Sequence, residues 1–441
     1  MAEITPFKGI LYNPSKITNL ADVAAPPFDI ISKQEQHRFH ETHPQNIIRL
    51  TLGRETENDT EKNNRYTRAA DCFNQWLSEG VLQQDKTPAF YMTSHEFPFE
   101  NKPLIRYGLI ARVGLVPFED GVVLPHEKTF SNVKAQRLEL IKACQANFSS
   151  IFSMYSDKGD KILNTLKDTA PGNTPVIDIN EKNGHRHKMW RITDSALHRY
   201  IADAMKESKI YIADGHHRYE TALNYRKWLS ETRPDFSADH PANAVLMYLC
   251  SMEDPGLIIL PAHRMLDEVP SSARASLISR AAEYFDITKF PYKGNRRDKS
   301  RAEFISALKS SAGINCIGVF MKDCPEFYLL KLKPGVMARM FGGELSKSLI
   351  DIDVTVLDRL IFMEILGFDQ ARLDDEKLIS YSSIAEEAVD IIAAGKHDIA
   401  FILNPTRIDQ VRRIAEEGLI MPNKATYFYP KVITGQVINK L

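Results

Sequence analysis

The chain has 441 residues, of which 43% are hydrophobic, and this length predicts two or three globular domains. Its 56 basic and 57 acidic residues leave a formal charge of −1, so no overall field attracts a polyanion and the sequence predicts no nucleic-acid partner. No segment approaches the ~18 uninterrupted apolar residues of a membrane helix and the N-terminus lacks a signal-peptide layout, so we expect a cytoplasmic protein without a membrane partner.

The first part of the chain alternates loop-rich segments with helices and strands. Residues 1–60 carry loop signals, and HPQNIIRLTLG predicts a break at His43-Pro44 before an apolar strand. Apolar residues at helical spacing predict a helix within residues 61–84. AFYMTSHEF and LIRYGLIARVGLV predict two antiparallel strands, and a helix follows from about Val133 to Gln145. Residues 157–200 are expected to form a polar excursion around a hairpin that contains the strand WRI.

The rest of the chain continues the mixture. A strand, a turn and a helix are expected over residues 210–228, and AVLMYLCSM and LIILPAHRML predict buried strands. From about residue 270, helices and hairpin strands alternate as far as the extended segment YFYPKVITGQVI. This order predicts an α+β fold in two lobes, residues 1–265 and 266–441, without internal repeats.

One short motif concentrates polar groups at the turn between strand and helix. Residues 210–221 read IYIADGHHRYET, and the apolar period changes from two to 3.6 at Gly215. Asp214 stands where a helix N-cap is expected, and Gly215 permits a sharp turn. Free amides at a helix N-terminus attract anions, and Arg218 adds a planar fork that suits phosphate oxygens. The motif therefore predicts a phosphate site.

Two other interpretations of this motif remain open. Asp-Gly before a helix is also an ordinary cap, although His216, His217 and Arg218 exceed what capping requires. Zinc chelation by the two histidines is less favoured, because neighbours on a helix diverge by ~100° and chelating pairs prefer a spacing of four.

A second motif, LPHEKT at 124–129, lies between a predicted strand and a predicted helix. Glu127 or His126 could accept a proton from a substrate hydroxyl, and Lys128 could bind a phosphoryl group. An exposed charged turn explains the same composition equally well. Downstream, Lys134 or Arg137 could point back to the same pocket.

Further candidates are scattered along the chain. His263 and Arg264 stand within an apolar strand, where either an internal carboxylate or a bound anion would have to balance the charge of the arginine. Asp29 in PPFDII and Asn46 in HPQN are expected to be further pocket residues. NKATYFYPK at 423–431 carries two lysines among aromatic residues, and a half-buried edge strand accounts for it as well.

Several familiar signatures are absent from the sequence. It contains no GxxxxGK[ST], GxGxxG, GxSxG or HExxH motif, which argues against the common nucleotide-binding, hydrolase and zinc-protease folds. The five cysteines are widely separated and form no CxxC pair, so we expect buried thiols.

Eight ordered segments resemble a family through nearly the whole chain. The chain is similar to the bacterial and archaeal family known as domain of unknown function 1015. The segments are APPFDII (25–31), HPQNIIRL (43–50), LPHEKT (124–129), NFSSIFSMY (147–155), YIADGHHRYETAL (211–223), LPAHR (260–264), AFILNPT (400–406) and MPNKATYFYPK (421–431).

The turn at 214–218 also resembles the signature of the ParB/sulfiredoxin superfamily, whose Gly-x-x-Arg segment binds nucleotide phosphates. Gly215 matches the glycine, Arg218 the arginine, and His217 a histidine of the sulfiredoxin-like members. His216 replaces the sulfiredoxin cysteine, which argues against sulfinic-acid repair. The resemblance implies a ParB/sulfiredoxin-like N-terminal lobe and a second α+β lobe at the C-terminus.

The superfamily includes free-serine kinases, so the resemblance implies a phosphotransferase that uses ATP or ADP with Mg²⁺ on L-serine or phosphoserine. Asp214 would hold Mg²⁺ or orient the hydroxyl, and Glu127 would act as base. The implied catalytic residues are Glu127, His126, Asp214 and His217, the nucleotide contacts Gly215, His216, Arg218, Lys128 and Thr129, and the substrate contacts Asp29, Asn46, His263 and Arg264.

Two other function classes stay open. One is a nucleotide-dependent regulatory protein of the ParB type, and the other is a metal-dependent hydrolase built on Asp214, His216 and His217. The expected partners are a small-molecule substrate and a nucleotide, with a homodimer as a further expectation.

Overall fold

A computed structural model describes residues 1–169, 174–292, 294, 297–373 and 378–441. The chain divides into two units, Met1–Ile258 with Pro430–Leu441, and Ile259–Tyr429. These differ from the expected ranges 1–265 and 266–441, because the C-terminal segment returns to the first unit. The Ile438 N–H donates to the Ile10 carbonyl at 2.9 Å, and the Leu441 N–H to the Gln145 carbonyl at 2.8 Å.

The first unit contains a nine-stranded mixed sheet. Its strand order is β6-β11-β8-β12-β5-β4-β10-β9, with β1 paired to β5, and the parallel pairs are β6 with β11 and β8 with β12. The strands of the first unit are β1 (Ile4–Thr5), β2 (Ile10–Tyr12), β3 (Leu82–Gln84), β4 (Phe90–Phe99), β5 (Lys102–Gly114), β6 (Val123–Leu124), β7 (Ala146–Asn147), β8 (Ile151–Tyr155), β9 (Ile177–Asn180), β10 (Arg186–Ile192), β11 (Ile210–Asp214) and β12 (Ala244–Ser251).

The two largest apolar cores of the first unit include residues of its helices. One core joins the sheet to apolar residues of three helices, among them Leu166, Ile201 and Tyr219. The other gathers N-terminal residues around Phe73, Trp76 and Phe148. The helices are α1 (Lys33–Thr42), α2 (Ile48–Thr51), α3 (Arg65–Ser78), α4 (Ser131–Cys144), α5 (Lys161–Thr169), α6 (Ser195–Met205) and α7 (His216–Thr232).

The second unit is built on a six-stranded antiparallel sheet in the order β15-β17-β16-β19-β14-β18. β13 (Ile258–Leu260) spans the point in the sequence where the first unit ends and the second begins. The other strands of the second unit are β14 (His263–Leu266), β15 (Phe285–Pro291), β16 (Cys316–Met321), β17 (Glu326–Leu332), β18 (Ile379–Ser382), β19 (Ile399–Leu403) and β20 (Tyr427–Tyr429). The last strand of the chain, β21 (Asn439–Lys440), belongs to the first unit and pairs with β7. The helices are α8 (Ser271–Ala281), α9 (Arg297–Ser310), α10 (Val336–Phe341), α11 (Lys347–Ile350), α12 (Asp353–Thr355), a π-helix (Val356–Ile365), α13 (Gln370–Leu373), α14 (Ala385–Ala393) and α15 (Ile408–Glu416).

The predicted α+β class is confirmed, one local prediction is wrong and another is incomplete. HPQNIIRL does not lead into a strand, because residues 48–51 form the buried helix α2. The excursion predicted at 157–200, of which residues 170–173 lie outside the described part, does contain a hairpin, β9 with β10, and β10 includes the predicted strand WRI. It also contains the helices α5 and α6, which were not predicted. Among the described residues, no helix combines the length and apolar character that crossing a membrane requires.

Gly256 is a position where two backbone segments approach closely. A Cβ atom added there would lie 2.5 Å from the Ile105 carbonyl oxygen, which cannot move aside like a side chain. We therefore predict that Gly256→Ala lowers the free energy of unfolding by about 1–3 kcal/mol. Gly343→Ala, where an added Cβ meets nothing within 4 Å, should change it by less than about 0.5 kcal/mol. Denaturant titration measures both, and equal effects would contradict the prediction.

Candidate functional site

The bend between β11 and α7 depends on a glycine. Every residue of β11 is buried, and the chain turns at Gly215, which has φ 98°. A Cβ atom there would lie 2.8 Å from the Arg218 guanidinium, so glycine supplies both the backbone angle and the space for the arginine. Gly215 is the N-cap, and no side chain caps α7. The prediction that Asp214 caps the helix is therefore wrong.

Asp214 instead lies between two cations. One of its oxygens accepts a hydrogen bond from Arg218 Nη2 at 2.6 Å, and the other accepts one from Lys431 Nζ. These three side chains are only 9–12% exposed. Burial raises the pKa of Asp214, but Lys431 and Arg218 outweigh this effect and hold it below its usual value. Burial likewise opposes the charge of Lys431, yet Asp214 and Asp29 raise its pKa overall. The cluster is thus one carboxylate with two cations.

Lys431 is a candidate whose partner the sequence did not predict. The sequence allowed its segment to be a half-buried edge strand with a solvated lysine. In the structure the lysine side chain is buried against Asp214. The only available signal was its place in one of the eight resembling segments. Each oxygen of Asp214 already faces a cation, so this arrangement does not fit the predicted magnesium ion at that residue.

Arg218 makes further contacts inside the first unit. Its Nη1 atom donates to the Ser150 carbonyl and lies 3.4 Å from Ser149 Oγ. Among the described residues its Nε atom is buried without an acceptor. Such a donor can form a hydrogen bond to an acceptor oxygen of a ligand.

The LPHEKT motif lies beside the bend. β6 and β11 run parallel, so the segments that follow them leave the sheet at the same edge. Glu127 Oε2 lies 3.4 Å from His216 Nδ1, and the His126 backbone N–H donates to His216 Nε2 at 3.3 Å. The rings of His126 and His216 meet edge to face at 4.7 Å. The structure thus brings together two motifs whose proximity the sequence left open.

Electrostatics fix the charge states of this corner. Burial raises the pKa of Glu127, but the hydrogen bond and charge of His216 dominate and lower it to about 2. Burial, followed by the neighbouring His216, lowers the pKa of His126 to about 3. At neutral pH Glu127 is therefore a carboxylate and His126 is uncharged. Glu127 accepts a proton less readily than an ordinary glutamate.

The other predicted nucleotide contacts lie along the first turns of α7. His217 Nε2 accepts the Phe130 N–H at 2.9 Å, and burial lowers the pKa of this histidine. Thr129 Oγ1 donates to Glu220 at 2.7 Å, and Lys134 pairs with the same carboxylate. Lys128 is exposed. Lys134 therefore does not point into the cavity described next.

A small cavity of about 60 Å³, partly open to solvent, adjoins Arg218. Its walls include Arg137, Phe28, Ser149 and Thr221. The Arg137 guanidinium lies 3.8 Å from the centre of the Phe28 ring and donates to the Thr51 carbonyl at 2.8 Å. Burial lowers the pKa of Arg137 to about 10, which still leaves it charged at neutral pH. Two guanidinium groups therefore face one cavity, a combination that suits an anionic ligand.

Two predicted substrate residues of the first unit differ in their surroundings. Asp29 is exposed, and the surrounding protein and Asp214 raise its pKa against the opposing effect of Arg218 and Lys431. It therefore belongs to the same electrostatic cluster. Asn46 is fully buried, and its amide bridges the carbonyls of residues 22 and 24 to the amide of Ile48. Its hydrogen-bonding groups thus serve the main chain.

His263 and Arg264 belong to the second unit and have partners there. His263 Nδ1 accepts the Leu403 N–H at 3.1 Å. Arg264 donates to the Asn423 carbonyl at 3.0 Å and lies 3.8 Å from the Asp358 carboxylate. An internal carboxylate, that of Asp358, thus balances the charge of Arg264. This is the structural interpretation of the two that the sequence allowed.

A family model described as "Protein of unknown function (DUF1015)" matches residues 4–354. A search of curated proteins finds no match. Among solved structures, a free serine kinase in complex with AMP is 10% identical, with a TM-score of 0.34, over 73% of this chain and 86% of its own. A conserved hypothetical protein from Pyrococcus furiosus is 12% identical, with a TM-score of 0.34, over 75% and 94%. SbnI from Staphylococcus aureus, truncated at its C-terminus, is 10% identical, with a TM-score of 0.31, over 73% and 85%. Such TM-scores carry no argument about the site.

The buried His126 predicts how stability depends on pH. Its pKa is about 3 in the folded chain against an ordinary 6.5, so between these values the unfolded chain binds a proton that the folded chain does not. Its contribution is complete above pH 6.5 and is lost as pH falls toward 3, at about 1.4 kcal/mol per pH unit.

We predict that His126→Asn makes the slope of unfolding free energy against pH, measured by denaturant titration between pH 4 and 6, shallower by about this amount. Identical slopes for the two proteins would contradict the assignment.

Proposed function

The chain belongs to the family described as protein of unknown function (DUF1015), and on that premise we propose that it is a nucleotide-dependent phosphotransferase acting on a small hydroxyl-bearing metabolite. The observation that carries the proposal is the position of Arg218. Arg218 lines an open cavity and pairs with Asp214. Two residues earlier in the same helix, His216 pairs with Glu127.

Charge supports a phosphate as the ligand. Asp214 faces the two cations Arg218 and Lys431, and Arg137 adds a third cation at the cavity wall. Asp29 and Glu127 are the other carboxyl groups that act on Lys431. The N-terminus of the 17-residue helix α7 carries no side-chain cap, so its first amides and its dipole add to the attraction. An anion with several acceptor oxygens satisfies these groups together.

A phosphate must compete with Asp214 for Arg218. The unpaired Nε atom gives the arginine one donor that Asp214 does not use. As the phosphate takes over the guanidinium fork, Asp214 keeps Lys431 as its partner, so the carboxylate is not left as an isolated buried charge. Asp214 thus acts as a counter-ion that keeps Arg218 in position, and no step of the proposal runs through a magnesium ion on this residue.

The proposed chemistry places the hydroxyl near Glu127. The hydroxyl oxygen forms a bond to the terminal phosphorus, the bond from that phosphorus to the nucleotide oxygen breaks, and the hydroxyl proton passes through Glu127 to solvent. A carboxylate with a pKa near 2 is a weak base. A loose phosphoryl-transfer transition state demands little basicity and more charge stabilisation, which Arg218 and Lys431 would provide.

L-Serine is the first substrate to test, and the choice rests on the resemblance of the 214–218 turn to the superfamily that includes free-serine kinases. The full chain with L-serine, Mg²⁺ and either ATP or ADP should form phosphoserine, detected by phosphorus NMR. We predict that Arg218→Gln lowers kcat/KM at least about 100-fold through lost charge stabilisation. Glu127→Gln should lower kcat about 100-fold with little change in KM.

The control for both variants is Lys227→Gln on the same helix. Its side chain is 75% exposed, so turnover should stay unchanged. Absence of phosphoserine with both nucleotides, or an Arg218→Gln variant with full activity, would overturn the proposal. Nucleotide binding without product would favour the regulatory alternative instead.

The metal-dependent hydrolase is disfavoured by the contacts of its three proposed ligands. Asp214 faces two cations, both ring nitrogens of His216 have partners, and His217 accepts the Phe130 N–H. Asp214 and His216 would each have to abandon an existing contact before they could bind a metal.

A further inference from the structure

Three histidines meet on one face of the large sheet of the first unit. His95 in β4 stands directly opposite His187 in β10, and paired residues of antiparallel strands point to the same face. His185 comes two residues before His187 in the sequence, so strand alternation returns its side chain to that face. The strands thus gather three imidazoles from two distant parts of the chain, and none of them belongs to the candidate phosphate site.

The ring nitrogens of these histidines are close enough to share one ion. One nitrogen from each lies within 4.8 Å of the other two. His95 Nε2 is 2.9 Å from His185 Nδ1, and the ring centres of His95 and His187 are 3.9 Å apart. His95 and His187 are 5% and 2% exposed, while His185 is partly exposed and leaves the cluster accessible.

A carboxylate completes the pattern. His187 Nε2 lies 2.8 Å from Glu181 Oε1, so this nitrogen can donate its proton to the carboxylate and leave Nδ1 for a ligand. Histidine ligands of metals characteristically donate their other ring N–H to a carboxylate in this way, which fixes the tautomer and the ring orientation.

We propose that His95, His185 and His187 form a binding site for a divalent first-row metal ion, with Zn²⁺ as the best match. Three neutral imidazoles and one open position are a coordination set that zinc accepts. Zinc–nitrogen distances of about 2.0–2.1 Å require nitrogens about 3.3 Å apart in a tetrahedron, so the 2.9 Å between His95 Nε2 and His185 Nδ1 must widen slightly on binding. His185 can supply this movement, because it lies just before the first residue of β10 and its side chain is partly exposed.

Two neighbouring charges bear on the site. Arg106 stands opposite His95 in β5, and its positive charge opposes a bound cation. Its guanidinium lies 4.6 Å from the centre of the Phe152 ring and donates from Nε to Tyr248 at 3.2 Å. Glu181 supplies the compensating negative charge, so its removal should weaken metal binding as well as release His187.

The test uses the full chain without an affinity tag, stripped of metal by chelator and dialysed. We expect one equivalent of Zn²⁺ by elemental analysis and calorimetric titration, and Co²⁺ should give the visible absorption bands of a tetrahedral site. His185→Asn should weaken Zn²⁺ binding at least about 100-fold, and Glu181→Gln about 10- to 100-fold. Circular dichroism checks that both variants are folded.

The matched control is His37→Asn, which removes a histidine whose side chain is 62% exposed and lies outside the cluster. Its Zn²⁺ affinity should equal that of the unaltered chain. Substoichiometric binding by the unaltered chain, unchanged affinity in His185→Asn, or loss of binding in the control would overturn the proposal and leave the cluster as a hydrogen-bonded histidine stack.

Discussion

The Asp214 carboxylate, held between Arg218 and Lys431, is the interaction on which the first unit depends at its functional corner. Taking three charges out of water is costly, and their mutual attraction offsets that cost only while all three remain together. Arg218 comes from the first turn of α7, whereas Lys431 lies 217 residues after Asp214 in the chain. A single carboxylate therefore connects the bend after β11 to the C-terminal segment, which explains why that segment belongs to the first unit although the second unit intervenes in sequence.

The same cluster divides the corner into two electrostatic environments. On one side, Arg218 and Arg137 face the cavity and create a region that favours an anion. On the other side, His216 lowers the pKa of Glu127, while burial and His216 keep His126 neutral. Under the proposed function, phosphate binding and hydroxyl activation therefore belong to different side chains, Arg218 for the first and Glu127 for the second. The contact of Asp214 with Arg218 restrains the arginine, and a ligand must replace that contact.

Local periodicity was enough to predict the β11–α7 bend and the paired strands β4 and β5, because each depends on neighbouring residues. It failed at residues 48–51, where a buried apolar run forms a helix, since a short apolar run fits either structure. The role of Lys431 and the grouping of His95 with His185 and His187 could not be predicted, because both depend on strand pairing or contacts between residues far apart in sequence. Side-chain type indicated a concentration of charged and polar groups at 214–218, but the partners of Asp214 required the three-dimensional arrangement.

The most direct measurement of the central claim is a crystal structure of the full chain with ADP bound. We expect a phosphate group of ADP within hydrogen-bond distance of the Arg218 guanidinium and of the first amides of α7, with Asp214 remaining on Lys431. A nucleotide bound elsewhere, with Arg218 still paired to Asp214, would contradict the assignment of this bend as a phosphate site.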